Sequence, residues 1–157
     1  LIKLGLVPYG KIKPKLDVSD PTLTFNTIGR HVATTVDTVV TSNKSPWMMY
    51  TEPGEVHAIA ISHGEGRFVA SEEQVKALLA NGQVATQYAG PDGKPAQCAP
   101  YNPNGSVWAI EGITSPDGRV LGKMGHSERS VDTQIAINIP GNKDQKLFQA
   151  GVDYFAR

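Results

Sequence analysis

The sequence predicts an α/β domain, and three observations carry that prediction. Thr22 to Thr41 is dense in Thr and Val, whose branched Cβ atoms suit a pleated, half-buried surface. His57 to Ser62 is a short run of small and branched apolar residues. Between them and the C-terminus, Ser71 to Gly82 carries the start signal, apolar face and stop signal of one amphipathic helix. With 157 residues, 39% of them apolar, the chain has enough material for one core, so residues 1–157 are read as a single domain.

The elements follow in order. Leu1, Ile2 and Leu4 before Gly5 read as the last turn of a helix, which Gly5 closes in the left-handed conformation and Pro8 cannot continue. The start has no Met, basic leader or cleavage pattern, so the expectation is a polypeptide cut from something longer rather than a signal peptide. Two strands are expected at 22–28 and 31–41, then an apolar patch, Ser45 to Tyr50, ended by Pro53 and Gly54. The 57–62 run reads as a strand buried on both faces, as in a parallel sheet covered by helices, with a site off its downstream end. Ser71 and Gln74 make a capping-box pattern, Glu72 and Glu73 favour the positive end of the dipole, and Val75, Leu78 and Leu79 share a face. Val84 to Tyr88 is a strand and Gly90 to Pro95 a turn-rich loop. Residues 107–114 and 119–124 flank Ser115 to Gly118 as a hairpin, with Gly118 supplying a positive φ. A last helix is expected from an Asn142 cap to Phe155, burying Leu147, Phe148, Val152 and Phe155.

Charge and cysteine content exclude several classes of function. Fifteen Lys and Arg balance fifteen Asp and Glu, and no basic run interleaves with aromatics, so neither nucleic acid nor an anionic membrane is an expected partner. The apolar runs are far shorter than the about 20 residues of a membrane span, which reads as a soluble chain. The lone Cys98 makes neither an internal disulfide nor a cysteine-rich zinc site, and it suits a cytoplasmic location.

Two His-x-Glu pairs stand out for chemistry: His63 with Glu65, and His126 with Glu128. In extended backbone, residues two apart point to the same side, so each Glu can lie beside its His. A carboxylate that accepts one ring N–H fixes the tautomer and leaves the other nitrogen to move a proton. An alternative gathers all four side chains around zinc, iron or manganese, although the glycines beside Glu65 suit backbone turning better than a rigid ligand. Cys98 is a poor nucleophile candidate, since no buried strand precedes it and no helix N-terminus follows to lower its pKa. His57 opens a strand and His31 has no acidic neighbour in sequence.

Three segments together carry a resemblance: Ile61-Ser-His-Gly-Glu-Gly-Arg67, Asn102-Pro-Asn-Gly-Ser106, and the run from Ile113-Thr-Ser-Pro-Asp-Gly118 to Met124-Gly-His-Ser-Glu-Arg129. In order and spacing they resemble the glutaminase domain of phosphoribosylformylglycinamidine synthase, of the class I glutamine amidotransferase type. The resemblance implies a flavodoxin-like sheet with helices and an antiparallel hairpin portion, the N-terminal part of the domain missing. The chain would be the C-terminal portion of that domain, as in the long single-chain bacterial form. It implies His126 as general base and acid and Glu128 as its orienting partner, serving a cysteine upstream of Leu1. Family members commonly have Pro where Ser127 stands here. Asn26 and Thr27 fall where the family lines its glutamine pocket, and His63, Glu65 and Arg67 at the approach to the active site or the synthetase contact. The implied partners are glutamine and the synthetase domain of the same enzyme, which would hold the ATP and Mg²⁺. No cofactor is expected in this chain, since nothing in it resembles a phosphate-binding loop. A rival from another class is a non-catalytic α/β module that docks on the synthetase or self-associates through exposed sheet edge.

Overall fold

The computed structural model describes residues 1–129 and 136–156. The chain opens on a 3₁₀ turn, Ile2–Leu4, closed by Gly5 at φ 80°, and a single turn α1, Leu6–Tyr9, interrupted by extended backbone at Val7. Seven strands follow: β1 (Thr22–Thr24), β2 (Val32–Val40), β3 (Val56–His63), β4 (Arg67–Val69), β5 (Val84–Tyr88), β6 (Ile110–Thr114) and β7 (Leu121–Lys123). Helices α2 (Glu72–Ala80) and α3 (Leu147–Phe155) and 3₁₀ turns at Pro46–Met48, Val107–Ala109 and Ser127–Arg129 complete the described elements. No helix among the described residues is long and apolar enough to cross a membrane.

The main sheet has five strands in the order β3-β2-β5-β6-β7, and β1 pairs with β4 in a separate ribbon. Neighbouring residues on β5 face opposite ways. Val84 joins Ile2, Val7, Phe68, Val75, Leu78, Ile110 and Ile113 beneath α2, whereas Ala85 joins Val40, Met48 and Leu147 beneath α3. Helix α2 is held as its sequence predicts: Ser71 Oγ accepts from Gln74 N (3.2 Å) and Gln74 Oε1 accepts from Ser71 N (2.8 Å).

Two expectations require correction. Every described ladder is antiparallel, so β3 is no parallel strand between helices but the edge strand of the described sheet, its ladder formed with β2. Its apolar run is explained differently. The outward backbone groups of β3 are taken by later chain, Ala58 N–H donating to Asn142 O (2.7 Å) and Ala60 O accepting from His126 N–H (2.8 Å), and His57 to Ile59 are buried under that cover. The last helix begins at Leu147 after a left-handed Lys146, not at Asn142, whose side chain instead accepts from Asp144 N. Of its four expected core residues only Leu147 is buried; Phe148, Val152 and Phe155 are exposed. The side of the helix that packs inward is Leu147, Ala150 and Gly151.

Gly151 lets α3 settle on Trp47, whose indole N–H donates to Arg119 O at 2.8 Å. A Cβ at position 151 would lie 2.3 Å from Trp47 Cζ3. Gly151→Ala should therefore overpack this contact and cost about 1–3 kcal/mol, read as a lower urea midpoint with the far-UV spectrum unchanged.

A polar clamp holds the N-terminal turn. Lys13 Nζ lies 2.6 and 2.8 Å from the two carboxylate oxygens of Asp20, which also accepts from the Tyr9 hydroxyl. The Lys13 and Tyr9 bonds hold the Asp20 carboxyl down to about 2, against an ordinary 3.8. A depressed carboxyl contributes stability that is full above its ordinary value and is lost as pH falls through the folded one. The clamp should thus persist at pH 4 and release as pH falls toward 2, followed by the Asp20 carboxyl resonance; Asp20→Asn should remove that transition.

Candidate active site

Strand β7 leads into Gly125, and residues 125–129 turn across the edge of β3, with a 3₁₀ turn at Ser127–Arg129. Beneath the turn lies a buried carboxylate. Glu111, the second residue of β6, has no exposed side-chain surface; it accepts from the Thr86 hydroxyl and from Gly125 N–H, with Lys123 Nζ 3.6 Å away. Gly125 is required by space, because a Cβ there would lie 2.6 Å from Ile59 Cγ2 and 2.9 Å from Glu111 Oε1.

On this bed His126 meets Glu128, with Nδ1 to Oε1 at 2.8 Å. A carboxylate only accepts, so Nδ1 carries the proton of this bond. Partial burial pulls the Glu128 carboxyl upward, but its own backbone N–H and the His126 ring outweigh this and hold it below the usual carboxylate range. The side chains are 30% and 53% exposed, so the pair is open to an approaching reactant. The pairing expected from extended backbone is therefore present, but a 3₁₀ turn produces it.

The other pair does not form. Strand β3 ends at His63 and the chain bends at Gly64, so the alternation that would set Glu65 beside the ring is broken. Glu65 is exposed, 4.0 Å from Lys3 Nζ, and His63 Nε2 lies 2.6 Å from the amide nitrogen of Asn104. Gly66 gives the ring its room, since a Cβ there would stand 2.1 Å from His63 Cδ2. Burial pushes the His63 pKa down against the Asn104 bond, and the His126 charge adds to the depression. Arg67 begins β4 with its Nε buried and without a hydrogen-bond partner among the described residues. No three His, Cys, Asp or Glu side chains among the described residues are placed to hold a metal, so the four-ligand arrangement is not formed.

The second motif clasps the first. Asn104 is fully buried and its amide nitrogen also donates to the Tyr88 hydroxyl at 2.7 Å. Ser106 Oγ donates to Gly66 O and accepts from Phe68 N, while Asn102 bonds both backbone groups of Ser106. Asn26 joins the clasp: its amide nitrogen donates to His63 O and Arg30 O, and its oxygen accepts from Gly66 N. Asn26 is thus buried and committed to backbone, whereas Thr27 is exposed with its N–H on Asn104 O. Cys98 is exposed in the irregular segment between β5 and β6. His57 is buried and burial pushes its pKa down; His31 is exposed, its ring 3.1 Å from Ser62 Oγ. Sequence reasoning missed Glu111, Lys123, Tyr88 and Gln145. An acid and a lysine inside facing apolar strands was the available signal.

A sequence profile of the CobB/CobQ-like glutamine amidotransferase domain matches residues 1–155. The chain belongs to this family. Among relatives of this amidotransferase domain, the phosphoribosylformylglycinamidine synthase subunit PurQ of Thermomicrobium roseum is 42% identical over 93 residues, 59% of this chain and 39% of the relative. The subunit of the same name from Methanocaldococcus jannaschii is 32% identical over 155 residues, 98% of this chain and 64% of the relative. The solved structure of PurLQS from Thermotoga maritima superposes with a TM-score of 0.64 at 29% identity, over 87% of this chain and 53% of that one. The amidotransferase domain thus shares its mixed α/β architecture with that structure while spanning only part of the length of each relative.

The clasp yields a prediction for stability. Asn104→Leu strips a buried partner from both Tyr88 and His63 and should cost about 1–3 kcal/mol. Glu65→Gln, at an exposed site, should stay within about 0.5 kcal/mol, both read from urea midpoints.

Proposed function

We propose that this chain supplies the proton-handling half of a glutaminase that provides ammonia to phosphoribosylformylglycinamidine synthase. The observation that carries the reading is the 2.8 Å bond from His126 Nδ1 to Glu128, within a chain of the amidotransferase family. In this reading a cysteine thiolate attacks the side-chain carboxamide carbon of glutamine, and the carbonyl electrons move onto oxygen. As the tetrahedral species collapses, the C–N bond breaks and the His126 ring gives its Nε2 proton to the departing nitrogen, which leaves as ammonia. The ring, now neutral at Nε2, takes a proton from water, whose oxygen attacks the thioester and releases glutamate. Glu128 holds the ring throughout and stabilises its charged form. Asn26 acts on the glutamine pocket by shaping the 63–66 loop, and Thr27 is the neighbouring side chain free to face a ligand.

The thiolate is not that of Cys98, which is exposed and lacks the strand-to-helix setting that activates a sulfur. ATP and Mg²⁺ belong to the synthetase portion, and no step on this chain uses them. A synthetase partner fits the names of the relatives, which are subunits of that synthase.

The test measures ammonia release from glutamine by this chain when a cysteine-bearing N-terminal complement from a relative is supplied in trans. His126→Ala should lower turnover about 10²–10⁴-fold, while Cys98→Ala leaves it unchanged. Turnover that depends on Cys98, or is indifferent to His126, overturns the reading. A chain that only docks, the interaction-module alternative, would bind the complement without any turnover.

A further inference from the structure

We propose that Lys123 and Gln145 are positioning residues for the His126–Glu128 pair. This rests on the reading of that pair as the proton-handling site, and it names what holds the pair in place. Lys123 Nζ, with the side chain 9% exposed, lies 3.0 Å from Gln145 Oε1, 3.3 Å from Ser127 Oγ and 3.5 Å from Gly125 O, besides Glu111 at 3.6 Å. Two of these partners are the residues on either side of His126. Ser127 Oγ in turn donates to Gln145 Oε1 at 2.8 Å.

Every flank of His126 is therefore fixed from below. At Gly125 the N–H goes to Glu111 and the C=O to Lys123; at His126 the N–H goes to Ala60 O; at Ser127 the hydroxyl goes to Gln145. The ring and Glu128 project from a backbone with little freedom to pivot. Gln145 is fully buried and uses its oxygen alone, its Nε2 having no hydrogen-bond partner among the described residues. A side chain kept for packing would be better served by an apolar residue of its size, because a half-satisfied buried amide costs stability. Its retained oxygen points to orientation. Gln145 also lies in the segment whose Asn142 O caps Ala58 of β3, so chain well beyond the pair in sequence returns to fix it.

The experiment reads the ring itself in this chain, by ¹⁵N-histidine spectroscopy of the Nδ1–H that Glu128 accepts. In the unaltered chain that proton should exchange with water more slowly than in Glu128→Gln. Gln145→Met, which keeps the volume and removes the acceptor, and Ser127→Ala, which removes the hydroxyl link, should each speed exchange about tenfold, toward the rate in Glu128→Gln. Gln145→Glu keeps an acceptor oxygen and should restore slow exchange. The proposal is overturned if the exchange rate of the folded Gln145→Met or Ser127→Ala chain equals that of the unaltered one, even with a lower melting temperature. Should Gln145→Met fail to fold, Ser127→Ala decides alone. Since the readout needs no glutamine, failure of ammonia release beside the cysteine-bearing complement would sink the functional reading without altering the exchange result.

Discussion

A carboxylate buried in the middle of a sheet sets the terms for the rest of this structure. Removing an ionised Glu from water costs several kcal/mol even after relaxation, so Glu111 is tolerable only where donors meet it from several directions. The sheet meets that demand through its register. Gly112 pairs with Lys123, which brings the ammonium to the carboxylate's side, and Thr86 approaches from β5. Close approach is allowed because the next residue has no side chain: a Cβ on Gly112 would stand 2.5 Å from Thr86 Oγ1. The last donor is Gly125 N–H, which means that satisfying the buried acid and delivering His126 to the sheet edge are one event.

The loops on the other side obey the same rule with neutral groups. Asn26, Asn102 and Ser106 spend their polar atoms on backbone of the 63–68 and 26–30 segments and on each other's turns, while the amide nitrogen of Asn104 meets the His63 ring and the Tyr88 hydroxyl. Gly105, at φ 77° and packed against Thr27, allows the tight bend that brings Asn104 under His63. The three motifs that are separate in sequence are thus two physical units, a clasp and a seated turn, joined by β3. That strand carries His63 at one end and receives His126 in its middle, close enough for the charge of one ring to act on the other.

Local signals read well from the sequence because their physics is local. The Ser71–Gln74 box, the Gly5 closure and the Gly118 turn depend on residues within a few positions, and each is where the residues place it. What failed depends on distant chain. His57 to Ser62 looks like a parallel core strand because it is buried, but nothing in the run says that residues 126 and 142 do the burying. Likewise the period of Leu147 to Phe155 marks a stripe without saying which side meets Trp47; Gly151 decides it, by being small. The His126–Glu128 spacing was legible as a pair, yet its support was not, since Gln145 and Glu111 become neighbours only after the sheet is assembled.

The covering of β3 has a meaning beyond burial. An edge strand with free N–H and C=O groups is a template on which another polypeptide can lay itself, and proteins survive by denying it. Here the denial comes from the 125–129 turn and from the segment around Asn142, which occupy adjacent places on that template. The geometry of the His126–Glu128 pair and the cover of the sheet edge therefore depend on the same few backbone atoms, and a change that frees the turn would loosen the pair and bare the strand in a single step.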